Sequence, residues 1–260
     1  MFFTDTHCHL NMPPLYGDTE GVLARAAARG VRQVVVPSYE EPTWPQVAAV
    51  SSGPNVFAAY GQHPWVAHEG LSGESLEAFR TRLADQLSAN PHVAIGEIGL
   101  DTKVVDNTLE EQLPVLEIQL ALAADLDLPV ILHCRGAFEE LLTEINRHGG
   151  QLKGVLHAYS RGPELAERFI TAGLHIALGG AVTRDRAKQV RKTAARLPLD
   201  KIVLETDAPS IGLDGVLPAD TEPGHVRDIA AAVAALRGEP LDTIAEVTTA
   251  NASRLFSLPA

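Results

Sequence analysis

Six side chains of this 260-residue chain have the type and spacing of a metal site: His7, His9, Glu97, His133, His157 and Asp207. The first two stand in Thr6-His7-Cys8-His9, directly after an apolar start at Phe2 and Phe3. Side chains on an extended segment alternate faces, so the two imidazoles project together and Cys8 projects away. Neutral imidazoles so paired make half of a site for a divalent transition metal. Glu97 closes the strand-like run from Val93, His133 the run from Pro129, and His157 the run from Gly154. Asp207 lies just past the run Lys201 to Glu205. A single histidine at a strand exit reads as a satisfied core residue, but chance rarely puts ligand types at five strand exits. A catalytic zinc usually takes three protein ligands and a water, so four imidazoles and two carboxylates exceed one ion. They suit two ions if one carboxylate bridges. Glu97, central in the strand order, is the expected bridge between an ion at His7, His9 and Asp207 and another at His133 and His157.

Neighbouring residues suggest supporting roles. Arg135 is two positions past His133 and could offer a forked donor to an oxyanion or phosphate. His63, in Gly61-Gln62-His63-Pro64, could face substrate or support a ligand. Asp101 and Glu205 could orient ligating histidines, which usually need a partner for the second ring nitrogen. His68, His92, His148 and His225 fall in loops or helices and read as solvated. His175, among Leu174, Ile176 and Leu178, reads as structural. Cys8 and Cys134 are expected to face away from the site, which argues against a nucleophilic thiol.

The elements that position these residues alternate strand and helix from end to end. Strands are expected at 2–9, ending in His7 and His9, and at 31–36, 55–60, 93–97, 129–133, 154–157, 174–178 and 201–205. Helical patterns fall between them and after the last, over 224–236 and 241–255. Thr108 and Glu111 form a capping box, while Pro114 suggests that the regular helix begins only there. Thr183 is the expected N-cap of the basic helix that Pro198 ends. Eight strands in strict alternation predict an α/β fold, a closed (β/α)₈ TIM-like barrel forming one domain over 1–260. A doubly wound sheet is disfavoured, because no GxGxxG follows the first strand. Active-site residues of such a barrel belong at the C-terminal ends of its strands, where the candidate ligands lie.

Composition sets further bounds. The net charge of −12 argues against a sequence-blind basic grip on duplex nucleic acid. No apolar run approaches the length needed to span a bilayer, so no membrane association is expected. Two cysteines without a staple-like pattern suit the reducing cytoplasm.

At these residues the chain resembles the TatD family of metal-dependent deoxyribonucleases, among the amidohydrolase-like barrels. The likeness runs through Asp5-Thr6-His7-Cys8-His9-Leu10, Gly61-Gln62-His63-Pro64 and Ile95-Gly96-Glu97-Ile98-Gly99-Leu100-Asp101. It continues in Pro129 to Arg135, Gly154-Val155-Leu156-His157, Leu204-Glu205-Thr206-Asp207-Ala208-Pro209 and Asn251-Ala252-Ser253-Arg254-Leu255-Phe256. The resemblance implies a TIM-like barrel, two divalent cations on the six ligands, and hydrolysis of DNA phosphodiesters, as a 3′-to-5′ exonuclease-type reaction. Magnesium, manganese, zinc or cobalt are the candidate metals. Asp207, as ligand and proton acceptor, and Glu97, as bridge, are the expected catalytic residues. Single-stranded DNA or frayed ends are the expected substrate; a small-molecule amide, ester or lactone is the alternative, and a metal-stabilised scaffold a third reading. The chain departs from the family pattern at Thr102-Lys103-Val104, at Arg161 and at Thr221-Glu222-Pro223. Its 5% aromatic content leaves few expected platforms for stacking bases.

Overall fold

A computed structural model describes residues 2–67, 76–104 and 107–259. Its strands are β1 (Phe3–Asp5), β2 (Val31–Pro37), β3 (Val56–Tyr60), β4 (Ala94–Asp101), β5 (Val130–Arg135), β6 (Gly154–Leu156), β7 (Leu174–Leu178) and β8 (Ile202–Leu204). All neighbours pair in parallel and in sequence order from β1 to β8. The seam between β8 and β1 is closed by single backbone bonds rather than a ladder. Thr6 N–H donates to Leu204 O at 3.0 Å, Asp207 N–H to His7 O at 2.8 Å, and His9 N–H to Ala208 O at 2.8 Å. The result is the single-domain (β/α)₈ barrel that strand–helix alternation predicts.

Among the described residues the helices are α1 (Thr19–Ala28), α2 (Trp44–Val50), α3 (Leu76–Ala89), α4 (Leu109–Asp125), α5 (Phe138–Arg147), α6 (Pro163–Thr171), α7 (Lys188–Arg196), α8 (Val226–Arg237) and α9 (Leu241–Phe256). None is long and apolar enough to cross a membrane.

The period-two alternation of the strands builds both core layers. Val35, Ala59, Ile131, Val155, Ala177 and Val203 form one buried cluster with Phe256 and Leu258. Their strand neighbours, among them Val34, Ala58, Leu132, Leu156, Ile176 and Leu204, pack in the layer shared with the helices. The chain end closes the barrel floor, since Gln33 Nε2 donates to Pro259 O at 2.7 Å and Thr249 Oγ1 to Phe2 O at 3.0 Å. Two residues beyond Ile131, Val155 and Val203 come His133, His157 and Glu205. The same alternation that fills the barrel therefore aims these three polar groups at its mouth.

Three expectations about elements are corrected. Strand β4 runs on through Asp101, paired Gly99 to His133 and Asp101 to Arg135, so Glu97 lies within the strand. A register shift between Ile95 and Ile98 re-aims side chains there, as bulges beside active sites do. Helix α4 begins at Leu109 and carries Pro114 inside it. Its first turn is held by the expected capping box, in which Thr108 N–H donates to Glu111 Oε2 at 2.7 Å. Thr183 does not cap α7, which starts at Lys188. Its hydroxyl is already committed, donating to Gly180 O at 2.7 Å and accepting Asp214 N–H at 2.8 Å.

Candidate metal centre

The six side chains singled out by spacing converge at the barrel mouth, and Glu97 stands at their centre. Its carboxylate oxygens face different partners. Oε2 lies 3.2 Å from His7 Nε2 and 3.6 Å from His9 Nε2. Asp207 Oδ1 approaches the same two nitrogens at 3.8 and 3.4 Å. Oε1 lies 2.8 Å from His157 Nε2, 3.0 Å from His133 Nδ1 and 3.2 Å from His63 Nε2. Glu97 and Asp207 are both buried, at 3% and 6% exposure, and buried carboxylates require compensation.

Electrostatics keep both acids charged. Burial opposes ionisation of Glu97, but the imidazoles of His157, His63 and His7 outweigh it and hold the carboxyl well below its ordinary value. Asp207 is likewise lowered against burial, by its contact with His9 and the charge of His7. Without metal, burial lowers His7. Burial opposes protonation of His157 too, yet Glu97 and Glu205 raise it well above its usual value.

The donor set fits divalent ions. His7 Nε2 and His9 Nε2 face one another at 3.2 Å, as do His133 Nδ1 and His157 Nε2. Two imidazole lone pairs at that separation repel unless a proton or cation lies between them. Three groups of ligating atoms lie close enough to share an ion: His7, His9 and Asp207; His63, Glu97 and His133; and His7, His157 and Glu205.

Tautomers sort these groups. His63 Nδ1 accepts the backbone N–H of Trp65 at 3.1 Å, so the proton of the neutral ring sits on Nε2. A protonated nitrogen cannot ligate, and His63 Nε2–H is instead a donor toward Glu97 or an incoming oxygen. Burial pushes His63 down to about 4, which keeps it neutral near pH 7. His133 is fixed in the opposite sense. Asp101 Oδ2 accepts its Nε2–H at 3.1 Å and leaves the Nδ1 lone pair for the centre. Asp101 therefore does orient a histidine. It also accepts Trp65 Nε1–H at 2.6 Å, Lys103 N–H at 2.7 Å and Arg135 Nε–H at 3.0 Å. Burial opposes its ionisation, but these donors hold Asp101 far below the usual carboxylate range. Glu205 is placed more loosely against its histidine. It lies 3.7 Å from His157 Nδ1 and accepts Ala158 N–H at 2.5 Å, leaving Oε2 buried without a hydrogen bond.

Sequence reasoning missed two residues here. Trp65 is 39% exposed beside the centre, its ring 5.2 Å from that of His63 and 5.4 Å from the Arg135 guanidinium carbon. The low aromatic count hid it, though its place directly after His63-Pro64 was a usable signal. Asp5, wholly buried, accepts His7 N–H at 3.2 Å and Thr206 N–H at 3.0 Å, tying the β1 exit to the segment carrying Asp207. Burial pushes its carboxyl up to about 8 against the hydrogen bonds from Thr206 and His7. The other histidines stand apart from the centre: His92 and His148 are partly buried, His225 caps Glu222 N–H at 3.0 Å, and His68 lies outside the described residues. Cys8 packs in the helix-side core and Cys134 against it, both as free thiols.

A (β/α)₈ barrel whose mouth gathers imidazoles about a central carboxylate defines the class as a barrel with a candidate metal centre. The particular family follows from comparison: the TatD-related DNase model matches residues 4–257, and the chain belongs to that family. It is 38% identical over 99% of its length to Escherichia coli (strain K12) YjjV, an uncharacterized metal-dependent hydrolase, of which it covers 98%. The YjjV crystal structure superposes with a TM-score of 0.89. Human deoxyribonuclease TATDN3 is 31% identical, covering 97% of this chain and 93% of that protein. At 16% identity, the fold alone is shared with an Escherichia coli phosphotriesterase homology protein, with a TM-score of 0.72 over 98% of each chain.

Proposed function

We propose that the protein is a metal-dependent phosphodiesterase acting on DNA, on single strands or frayed ends, by a 3′-to-5′ exonuclease-type reaction. The observation that carries the two-ion reading is the division of labour at Glu97. One of its oxygens faces His7 and His9, beside Asp207, and the other faces His133 and His157. His7, His9, Glu97 and Asp207 would hold one divalent cation, and Glu97, His133 and His157 a second. Magnesium, manganese, zinc and cobalt are the candidates. Such ions lower the pKa of an attacking water and offset negative charge developing at phosphorus.

The remaining steps belong to the chain. Asp207, kept ionised among its imidazoles, accepts the proton of the attacking water. His63 Nε2–H donates to a substrate oxygen, and its lowered pKa keeps the ring a neutral donor. Arg135 commits Nε to Asp101 and directs its terminal nitrogens to a phosphate. Trp65 offers its exposed indole to a base, which supports a nucleic-acid substrate despite the low aromatic count. The human relative's name, a deoxyribonuclease, points the same way. Free thiols at Cys8 and Cys134 suit a reducing cytoplasm.

The test is turnover of chelated and metal-reconstituted protein against oligonucleotides, a small phosphodiester, carboxylic esters, amides and lactones. Restored cleavage of single-stranded oligonucleotides is the expected result. Brisk ester, amide or lactone hydrolysis without DNA cleavage would move the assignment to a small-molecule hydrolase. No metal-dependent turnover on any of them would leave a scaffold.

A further inference from the structure

We infer that the connection following β7 forms a basic edge that holds the phosphates of a single DNA strand beyond the reacting bond. This rests on the nuclease reading above. The chain carries a net charge of −12, yet residues 184–196 hold six of its 21 Lys and Arg and one carboxylate, Asp185; of the six, Arg196 is paired with Glu164 at 3.0 Å. Elsewhere exposed cations are largely neutralised. Arg25 pairs with Asp18 and Glu222, Arg29 with Asp228, Arg80 with Asp125 and Arg168 with Glu139. Arg186 and Lys188 are exposed, and among the described residues neither forms an ion pair. Asp185 is taken by Arg191 at 3.2 Å.

The edge is continuous with the candidate centre. Ser210 N–H and Ile211 N–H donate to Asp207 O at 2.7 and 3.0 Å, and Arg184 then donates to Gly212 O at 2.5 Å. A cleft of about 560 Å³ opens between the two loops, its lining including Arg184, Asp185, Arg186, Leu213, Asp214 and Leu217. Leu217, 70% exposed, gives it an apolar wall that a base can lie against. On the other flank Thr193 Oγ1 donates to Arg161 O at 2.7 Å, joining the loop after β6 to α7. The exposed Arg161 guanidinium turns instead toward the start of α5, 5.3 Å from the centroid of the Phe138 ring. Unpaired cations on an acidic molecule are costly in solvation only when covered, and they attract a partner with regularly spaced negative charge. A single strand supplies that charge and can bend into a concave mouth; its bases tolerate an apolar wall.

The test is fluorescence anisotropy of labelled dT12 with metal-free protein in excess chelator, over about 50 to 200 mM salt. Wild type is expected to bind with a steep salt dependence. The double variant Arg186→Gln/Lys188→Gln should bind about tenfold more weakly at low salt. Its slope of log K against log salt should fall by roughly 1.4, at roughly 0.7 per single-strand phosphate contact. Lys201→Gln, beside the start of β8 at the opposite end of the barrel, should match wild type. Absence of binding by wild type, or an unchanged affinity and slope in the double variant, would overturn the edge. Turnover of dT12 with manganese is read separately. Wild type that binds by this edge yet cleaves nothing would sink the nuclease reading while supporting the edge as a nucleic-acid surface. If cleavage occurs, the double variant should lose kcat/KM on dT12 and keep it on a small phosphodiester.

Discussion

Glu97 has a role that no single imidazole shares, because its two oxygens serve two donor sets while each ring contributes one nitrogen. Glu97→Gln is therefore expected to lower kcat by roughly a thousandfold, the upper range for losing one preorganised electrostatic contact to the transition state. Replacing His7, His9, His133 or His157 singly should cost less. Elemental analysis beside the kinetics distinguishes a lost bridge from a lost fold. A Glu97→Gln protein that keeps two ions and near-normal turnover would show that Glu97 does not bridge. The six candidate ligands were legible because their types recur in or just past the C-terminal halves of strands, which share one mouth, even though Glu97 lies within β4. That His63 stands at the site was legible, but which of its ring nitrogens carries the proton was not. That is set by Trp65 N–H, a backbone group that carries no sequence signal. Asp101 was legible as a histidine partner, but its simultaneous hold on Trp65 and Arg135 required the loops to be placed.

Strand β4 shows how much an element can hide. Its Ile-Gly-Glu-Ile-Gly-Leu-Asp run reads as a strand ended at Glu97, whereas the ladder with β5 continues four residues further. Gly99 permits this. Its φ is +150°, and an added Cβ would lie 1.9 Å from His133 O, a backbone atom that cannot swing aside. Gly99→Ala should destabilise the protein by about 3 kcal/mol, the upper end of ordinary overpacking. It should also weaken metal retention, since the clash falls on the residue carrying the Nδ1 ligand. Denaturant melts and metal content measure the two effects; an unperturbed Gly99→Ala would mean that β4 and β5 do not meet there. Pro114 misled because the local capping box of Thr108 and Glu111 starts the helix ahead of it, and Thr183 because its hydroxyl is held by Gly180 O and by Asp214 N–H. Strand β7 carries a further consequence. Burial lowers the pKa of His175, aided by Lys201 and Arg254. The unfolded chain thus takes up this proton first as pH falls below about 6.5. Stability from this group is complete above that pH and declines below it. His175→Gln should therefore lose less melting temperature than wild type between pH 7.5 and 5.5. Equal losses would exclude burial of a neutral ring at this position.

At the scale of the whole molecule, the seam where the first and last strands meet lacks the continuous ladder of the other strand pairs. Strands β1 and β8 have three residues each, and their seam rests on isolated backbone bonds and on Asp5. The ions proposed here would join groups from both sides of that seam, His7 and His9 with Asp207, and would link them through Glu97 to the exits of β5 and β6. A ligand that binds only the folded state adds stability by mass action, about 2.7 kcal/mol at a hundredfold excess over Kd for one site. For a domain of this size each kcal/mol shifts Tm by about 2 to 4 °C, so one ion should raise it by about 5 to 11 °C. A chelated sample and one reconstituted with manganese or zinc, melted in the same buffer, supply the comparison. The gain should grow with free metal concentration, as mass action requires, and should shrink in Asp207→Asn, which removes an anionic ligand from one side of the seam. A fixed Tm across the metal series, with no metal found by elemental analysis, would mean that the imidazoles at the mouth do not gather ions. A gain that persists undiminished in Asp207→Asn would place the stabilising ion away from the seam, on the His133 and His157 side of Glu97.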